Sequence, residues 1–79
     1  MTPVHDASIP APTILVIDDD RVLTRLFDGI LSSVGKVIIA NTGLVGLELA
    51  RSEQPDLILL DVQMPGQDGF DIISELKTD

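Results

Sequence analysis

Apolar residues recur along this chain in two rhythms. Ile14-Leu15-Val16-Ile17, Val37-Ile38-Ile39-Ala40 and Leu57-Ile58-Leu59-Leu60 are unbroken runs, the pattern of strands buried on both faces in a parallel sheet with helices on either side. Between the first two runs, Val22, Leu23, Leu26, Phe27, Ile30, Leu31 and Val34 follow at spacings of one, three and four, which draws a single apolar stripe along a helix. Gly43, Gly46, Leu47 and Ala50 fall on one face of a second helix, whose small residues let its backbone approach a sheet closely. Phe70, Ile73 and Leu76 mark the inner face of a third.

Punctuation between the runs agrees with this reading. Asp20 and Thr42 suit helix N-caps, since their side-chain oxygens accept from the orphan amides of a first turn, and Asp68 suits the same role for the third helix. Gly35 offers a stop for the first helix, and Pro55 ends the second near Gln54, because the residue before a proline is disfavoured in a helix. The spacing therefore predicts strands over 13–17, 36–40 and 57–61 and helices over 21–34, 43–54 and 69–78, after a flexible Pro-containing leader over 1–12. His5 lies in that leader and receives no role.

Strand, helix, strand, helix, strand, helix with short connections is an α/β layer structure. Right-handed crossovers put the first strand in the centre, giving the order 2-1-3 with helices on both faces. In such a sheet the chain changes direction outward from the first strand, and ligands bind at the carboxyl ends of the strands where it does so. The first strand runs into Asp18-Asp19-Asp20 and the third into Asp61. Asp18, Asp19 and Asp61 are thus expected to meet in one crevice.

Composition narrows what that crevice does. The 79 residues hold one domain at most, with 44% hydrophobic and only 3% aromatic residues, so its core is aliphatic. No cysteine is present, which removes disulfides, thiolate metal sites and cysteine nucleophiles. Thirteen acidic against five basic residues leave a formal net charge of −8, which repels phosphate backbones and anionic lipid and argues against direct nucleic-acid binding. Neither a membrane-spanning run nor a signal peptide is legible, and a soluble cytoplasmic protein is expected.

Three carboxylates in one crevice do not stay ionised unaided, because two such charges about 4 Å apart repel by roughly 4 kcal/mol at an effective dielectric near 20. Either some are protonated or a cation sits among them. Oxygen-only ligands favour Mg²⁺ or Mn²⁺, and an ion there would draw in a phosphoryl group and neutralise charge during its transfer.

Ile14-Leu15-Val16-Ile17-Asp18-Asp19-Asp20, Leu57-Ile58-Leu59-Leu60-Asp61, Met64-Pro65 and Asp68-Gly69, in this order and spacing, resemble the receiver domain of two-component response regulators, a flavodoxin-like doubly wound fold. The resemblance implies that Asp61 is the phosphoacceptor, taking its group from a phosphohistidine on a sensor histidine kinase or a histidine phosphotransfer protein. It also implies metal ligation by Asp18, Asp19, Asp61 and the backbone carbonyl of Gln63, with Pro65 and Gly69 shaping the loop. Members of this family catalyse their own phosphorylation and hydrolysis but are classed as signalling switches rather than enzymes.

Receivers usually run to about 120 residues in five strands, with a Ser or Thr ending the fourth and a Lys on the fifth that contact the phosphoryl group. The present 79 residues match the N-terminal half, and neither Lys36 nor Lys77 stands where that Lys would. The strand over 57–61 is then an edge with unpaired backbone groups, which suggests a homodimer through it. Two other readings follow: a phosphorylation-impaired dimerisation or assembly module, and, from the Asp-x-Asp spacing at Asp18-Asp19-Asp20, a fragment of a haloacid dehalogenase-like phosphotransferase.

Overall fold

The structure, a computed structural model, describes residues 10–62 and 69–78, and for Phe70 and Thr78 the backbone only. Its elements are β1 (Thr13–Ile17), α1 (Arg21–Leu31), β2 (Lys36–Ala40), α2 (Gly43–Glu53), β3 (Leu57–Leu60) and α3 (Gly69–Thr78). The strands form one parallel sheet in the order β2-β1-β3, the order expected from the sequence. The register sets Ile17 opposite both Ala40 and Leu60, so all three strands end at one level. The N-terminal leader through residue 9 and the Asp68 cap lie outside the described residues. Among the described residues no helix is long and apolar enough to cross a membrane.

β1 is the buried axis. Leu15, Val16 and Ile17 are all under 2% exposed, because neighbours flank the strand on both edges and helices cover both faces. Leu15 and Ile17 point into the cluster with Ala40 and Ile72, against which Ile38, Leu47, Ala50, Ile58, Leu60 and Leu76 also pack. At the other end of β1, the Thr13 N–H donates to the Asp56 carboxylate at 2.7 Å and the Asp56 N–H returns to the Thr13 carbonyl at 2.8 Å. That reciprocal pair fixes where β3 begins.

α1 departs from the sequence expectation in two ways. It ends at Leu31 rather than Val34, the Ser32 N–H closing the last turn on Asp28. Its apolar stripe is also wider than the sheet covers. Thr24 is buried and Phe27 and Leu31 are half-buried, whereas Val22, Leu26 and Ile30 are 78%, 57% and 59% exposed. Three strands offer too narrow a platform for both arcs, and no described element lies beside α1 on that face. The two caps form as expected: Asp20 Oδ1 accepts from Val22 and Leu23, and Thr42 Oγ1 from Val45. α2 stops at Glu53, one residue short of the expected end, with Gln54 in the left-handed region at φ 50° ahead of Pro55. β3 stops at Leu60, so Asp61 stands just past the strand.

Two glycines make opposite predictions. A Cβ at Gly46 would lie 2.5 Å from Cδ1 of fully buried Ile17, whereas one at Gly29 meets nothing within 4 Å. Urea denaturation is expected to show Gly46→Ala destabilised by about 1–3 kcal/mol through overpacking. Gly29→Ala is expected to gain roughly 0.5–1 kcal/mol from helix propensity.

Candidate phosphoryl and cation site

The site is assembled by the last rungs of the sheet. The Asp18 N–H donates to the Ala40 carbonyl at 3.0 Å and the Asp61 N–H to the Ile17 carbonyl at 3.0 Å. Each aspartate is therefore tied through its own peptide to the neighbouring strand, at the carboxyl edge where backbone pairing gives out. One carboxylate oxygen from each of Asp18, Asp19 and Asp61 lies within 4.8 Å of the others. The sequence expectation that these three converge is met in the geometry. Gln63 and Pro65 lie outside the described residues, while Gly69 is the first residue of α3.

The three acids sit in unlike surroundings: Asp18 is buried, Asp61 half-buried and Asp19 exposed. An open depression of about 490 Å³ reaches from Asp18 and Asp61 along the groove between α1 and β3, walled by Val16, Leu23, Phe27 and Leu59. A larger apolar hollow on the outer face of α1, against Val22, Leu26 and Ile30, is remote from the carboxylates. It bears on no chemistry here.

Burial raises the Asp18 carboxyl above its ordinary range. The N–H of Asp20, which donates to Asp18 Oδ1 at 2.9 Å, works against that shift, and the charges of Asp61, Asp19 and Asp20 add to it. Asp20 itself spends a carboxylate oxygen on the α1 cap, in line with its assignment as a cap. One contact at this edge has no counterpart in the sequence reading: Nδ2 of Asn41 donates to the Asp18 carbonyl at 3.0 Å. From sequence Asn41 was legible only as the residue that ends a strand.

With these features in view, the comparisons with known proteins are direct. Residues 14–79 match the family model described as the response regulator receiver domain. The chain belongs to that family, the receiver domains of two-component response regulators. It is 39% identical over 67 residues to the transcriptional regulatory protein AfsQ1 of Streptomyces coelicolor, covering 84% of this chain and 30% of that protein. To the polar-differentiation response regulator DivK of Brucella ovis it is 34% identical over 68 residues, covering 85% of this chain and 55% of DivK.

Among solved structures, the N-terminal domain of a response regulator receiver protein from Methanoculleus marisnigri superposes with a TM-score of 0.81 at 36% identity, covering 86% of this chain and 56% of that one. The Vibrio cholerae chemotaxis protein CheY4, at 24% identity and a TM-score of 0.79, shares the fold over 85% of this chain and 57% of its own. The chain thus spans about half the length of DivK and of both solved structures, and under a third of AfsQ1.

The raised Asp18 carboxyl gives a prediction with a definite sign. Its folded-state pKa lies above the unfolded value, so the folded state binds the proton more tightly. Below the unfolded value, about 3.9, that costs nothing; as pH rises through the folded value, ionised Asp18 becomes a growing penalty. In metal-free buffer Asp18→Asn is therefore expected to melt above the parent at pH 7, the gap closing as pH falls toward about 4. Circular dichroism melts across that range measure it, and a lower melting temperature for Asp18→Asn at pH 7 would contradict the assignment.

Proposed function

We propose that this receiver accepts a phosphoryl group on a carboxylate oxygen of Asp61, with Mg²⁺ or Mn²⁺ held by Asp18, Asp19 and Asp61 and by the backbone carbonyl of Gln63. The observation that carries the reading is the gathering of three carboxylates within 4.8 Å at the mouth of an open depression. The donor set fits the ion, since it is made of hard oxygen donors without imidazole or thiolate. The raised Asp18 carboxyl is compatible: burial opposes its ionisation first, and the lesser like charges of Asp61, Asp19 and Asp20 are what a divalent cation would offset.

A bound ion would supply neutralisation of charge on the phosphoryl oxygens in flight. Everything else falls to side chains of this chain. An Asp61 carboxylate oxygen attacks phosphorus and forms the P–O bond of an acyl phosphate while the P–N bond to the donor imidazole breaks; the departing nitrogen keeps that electron pair and takes a proton from solvent. Asp18 and Asp19 keep the site fixed beside Asp61. Val16, Leu23, Phe27 and Leu59 wall the approach, which limits the water that later displaces the group by attack on phosphorus.

The donor in this reading is a phosphohistidine on a sensor histidine kinase or a histidine phosphotransfer protein. The chain works in the cytoplasm as a switch rather than as an enzyme with turnover. Its net charge of −8 argues against direct contact with nucleic acid by these residues.

Incubation with a small phosphodonor and Mg²⁺ tests the proposal. Intact-mass measurement is expected to show a gain of one phosphoryl group in the parent, lost in Asp61→Asn and lost with a chelator. Turnover of a phosphate ester that survives Asp61→Ala and vanishes with Asp18→Ala would favour the dehalogenase-like alternative instead.

A second reading is favoured by one observation. β3 is an outer strand of the described sheet, and Leu57 on it is 49% exposed, so its free edge is a template for a neighbouring strand. In this reading two copies of the 79-residue chain associate along 57–61. Sedimentation at high micromolar concentration is expected to give a dimer; a monomer would remove the reading.

A further inference from the structure

We propose that Asn41 is a positioning residue for the cation site: its carboxamide replaces the last rung of the β1·β2 ladder and fixes the peptide from which Asp18 and Asp19 diverge. The proposal rests on the reading of Asp18, Asp19 and Asp61 as ligands, and one arm of its test does not.

The register makes the substitution visible. Ile17 pairs with Ala40, and the Asp18 N–H donates to the Ala40 carbonyl. In a parallel ladder the next bond runs from the N–H two residues further along the partner strand to the Asp18 carbonyl. That residue is Thr42, which here serves as the α2 N-cap, its Oγ1 accepting from Val45 at 3.2 Å. The donor found at the Asp18 carbonyl is instead Nδ2 of Asn41, at 3.0 Å. A carbonyl accepts only from the NH₂ side of a carboxamide, so the orientation of the amide is set. The exchange lets β2 leave the sheet for α2 while the tip of β1 stays tied down.

What is tied down is the peptide plane between Asp18 and Asp19. Its oxygen is held by Asn41 and its nitrogen is that of Asp19, so the plane sets the direction in which the Asp19 side chain departs. The start of this peptide is held independently, through the Asp18 N–H on Ala40, whereas the Asp20 amide that donates to Asp18 Oδ1 follows the plane and shifts with it. Without the Asn41 bond the plane is free to rotate, and the exposed Asp19 carboxylate moves with it. Asp18 and Asp61 stay where their strands put them.

A turn-forming asparagine would also suit this position, and the two roles separate by experiment. Asn41→Leu removes the donor at similar volume, while Thr42→Ala removes the adjacent α2 cap without touching Asp18. Calorimetric titration with Mg²⁺ is expected to show binding weakened about tenfold by Asn41→Leu and changed by less than roughly twofold by Thr42→Ala. In metal-free protein, amide exchange at Asp20 is expected to accelerate in Asn41→Leu while Val16 stays protected.

Equal weakening by both substitutions would overturn the proposal, as would Mg²⁺ affinity or Asp20 protection unchanged in Asn41→Leu. A parent that binds no Mg²⁺ would sink the cation reading and the positioning role with it. A parent that binds, beside an Asn41→Leu chain that binds equally well, would sink the positioning role alone.

Discussion

The organisation of this protein depends on one strand being paired along both edges. Because Ile17 stands opposite Ala40 on one side and Leu60 on the other, the residues that follow β1 and β3 emerge at one height. Shifting either neighbour by one residue would turn its side chains to the opposite face, and would carry Asp61 away from Asp18. The aliphatic burial of Leu15, Val16 and Ile17 is what makes that register costly to lose. At about 25 cal/mol per Å² of apolar surface, burial of the axis holds in register the strands whose ends carry the acids.

The tip works against the fold that builds it. Asp18 is buried and faces the charges of Asp61, Asp19 and Asp20, with the Asp20 amide as partial relief. A functional site that is locally unfavourable and supported from elsewhere is a common outcome, and here the support is traceable. It comes from the hydrophobic axis beneath and from backbone bonds that anchor Asp18 to β2 and Asp61 to β1. Were a divalent cation to bind as proposed, it would compete with the proton for one set of oxygens.

Much of this was legible in the residues and some was not, for physical reasons. Continuous apolar runs and short connections sufficed for the order β2-β1-β3, since handedness leaves few alternatives. The convergence of Asp18, Asp19 and Asp61 followed from that order. The unequal burial of the three acids did not, because it depends on the local orientation of each carboxylate where the strands end. Periodicity gave α1 a seven-member stripe but could not say which arc meets the sheet. Thr24, a polar residue by composition, sits on the buried side while Val22, Leu26 and Ile30 do not. Asn41 was invisible for a different reason: its contact spans 23 residues along the chain, and local turn chemistry already accounts for an asparagine at a strand end.

The uncovered arc of α1 has a colloidal consequence. Val22, Leu26 and Ile30 present a greasy band to water on a particle that carries eight excess negative charges. In dilute buffer mutual repulsion holds such particles apart, yet the reach of that repulsion shrinks to about 8 Å at physiological ionic strength. Salt therefore sets how closely two bands approach, and the dispersion of these 79 residues in solution is governed by ionic strength as much as by their folding.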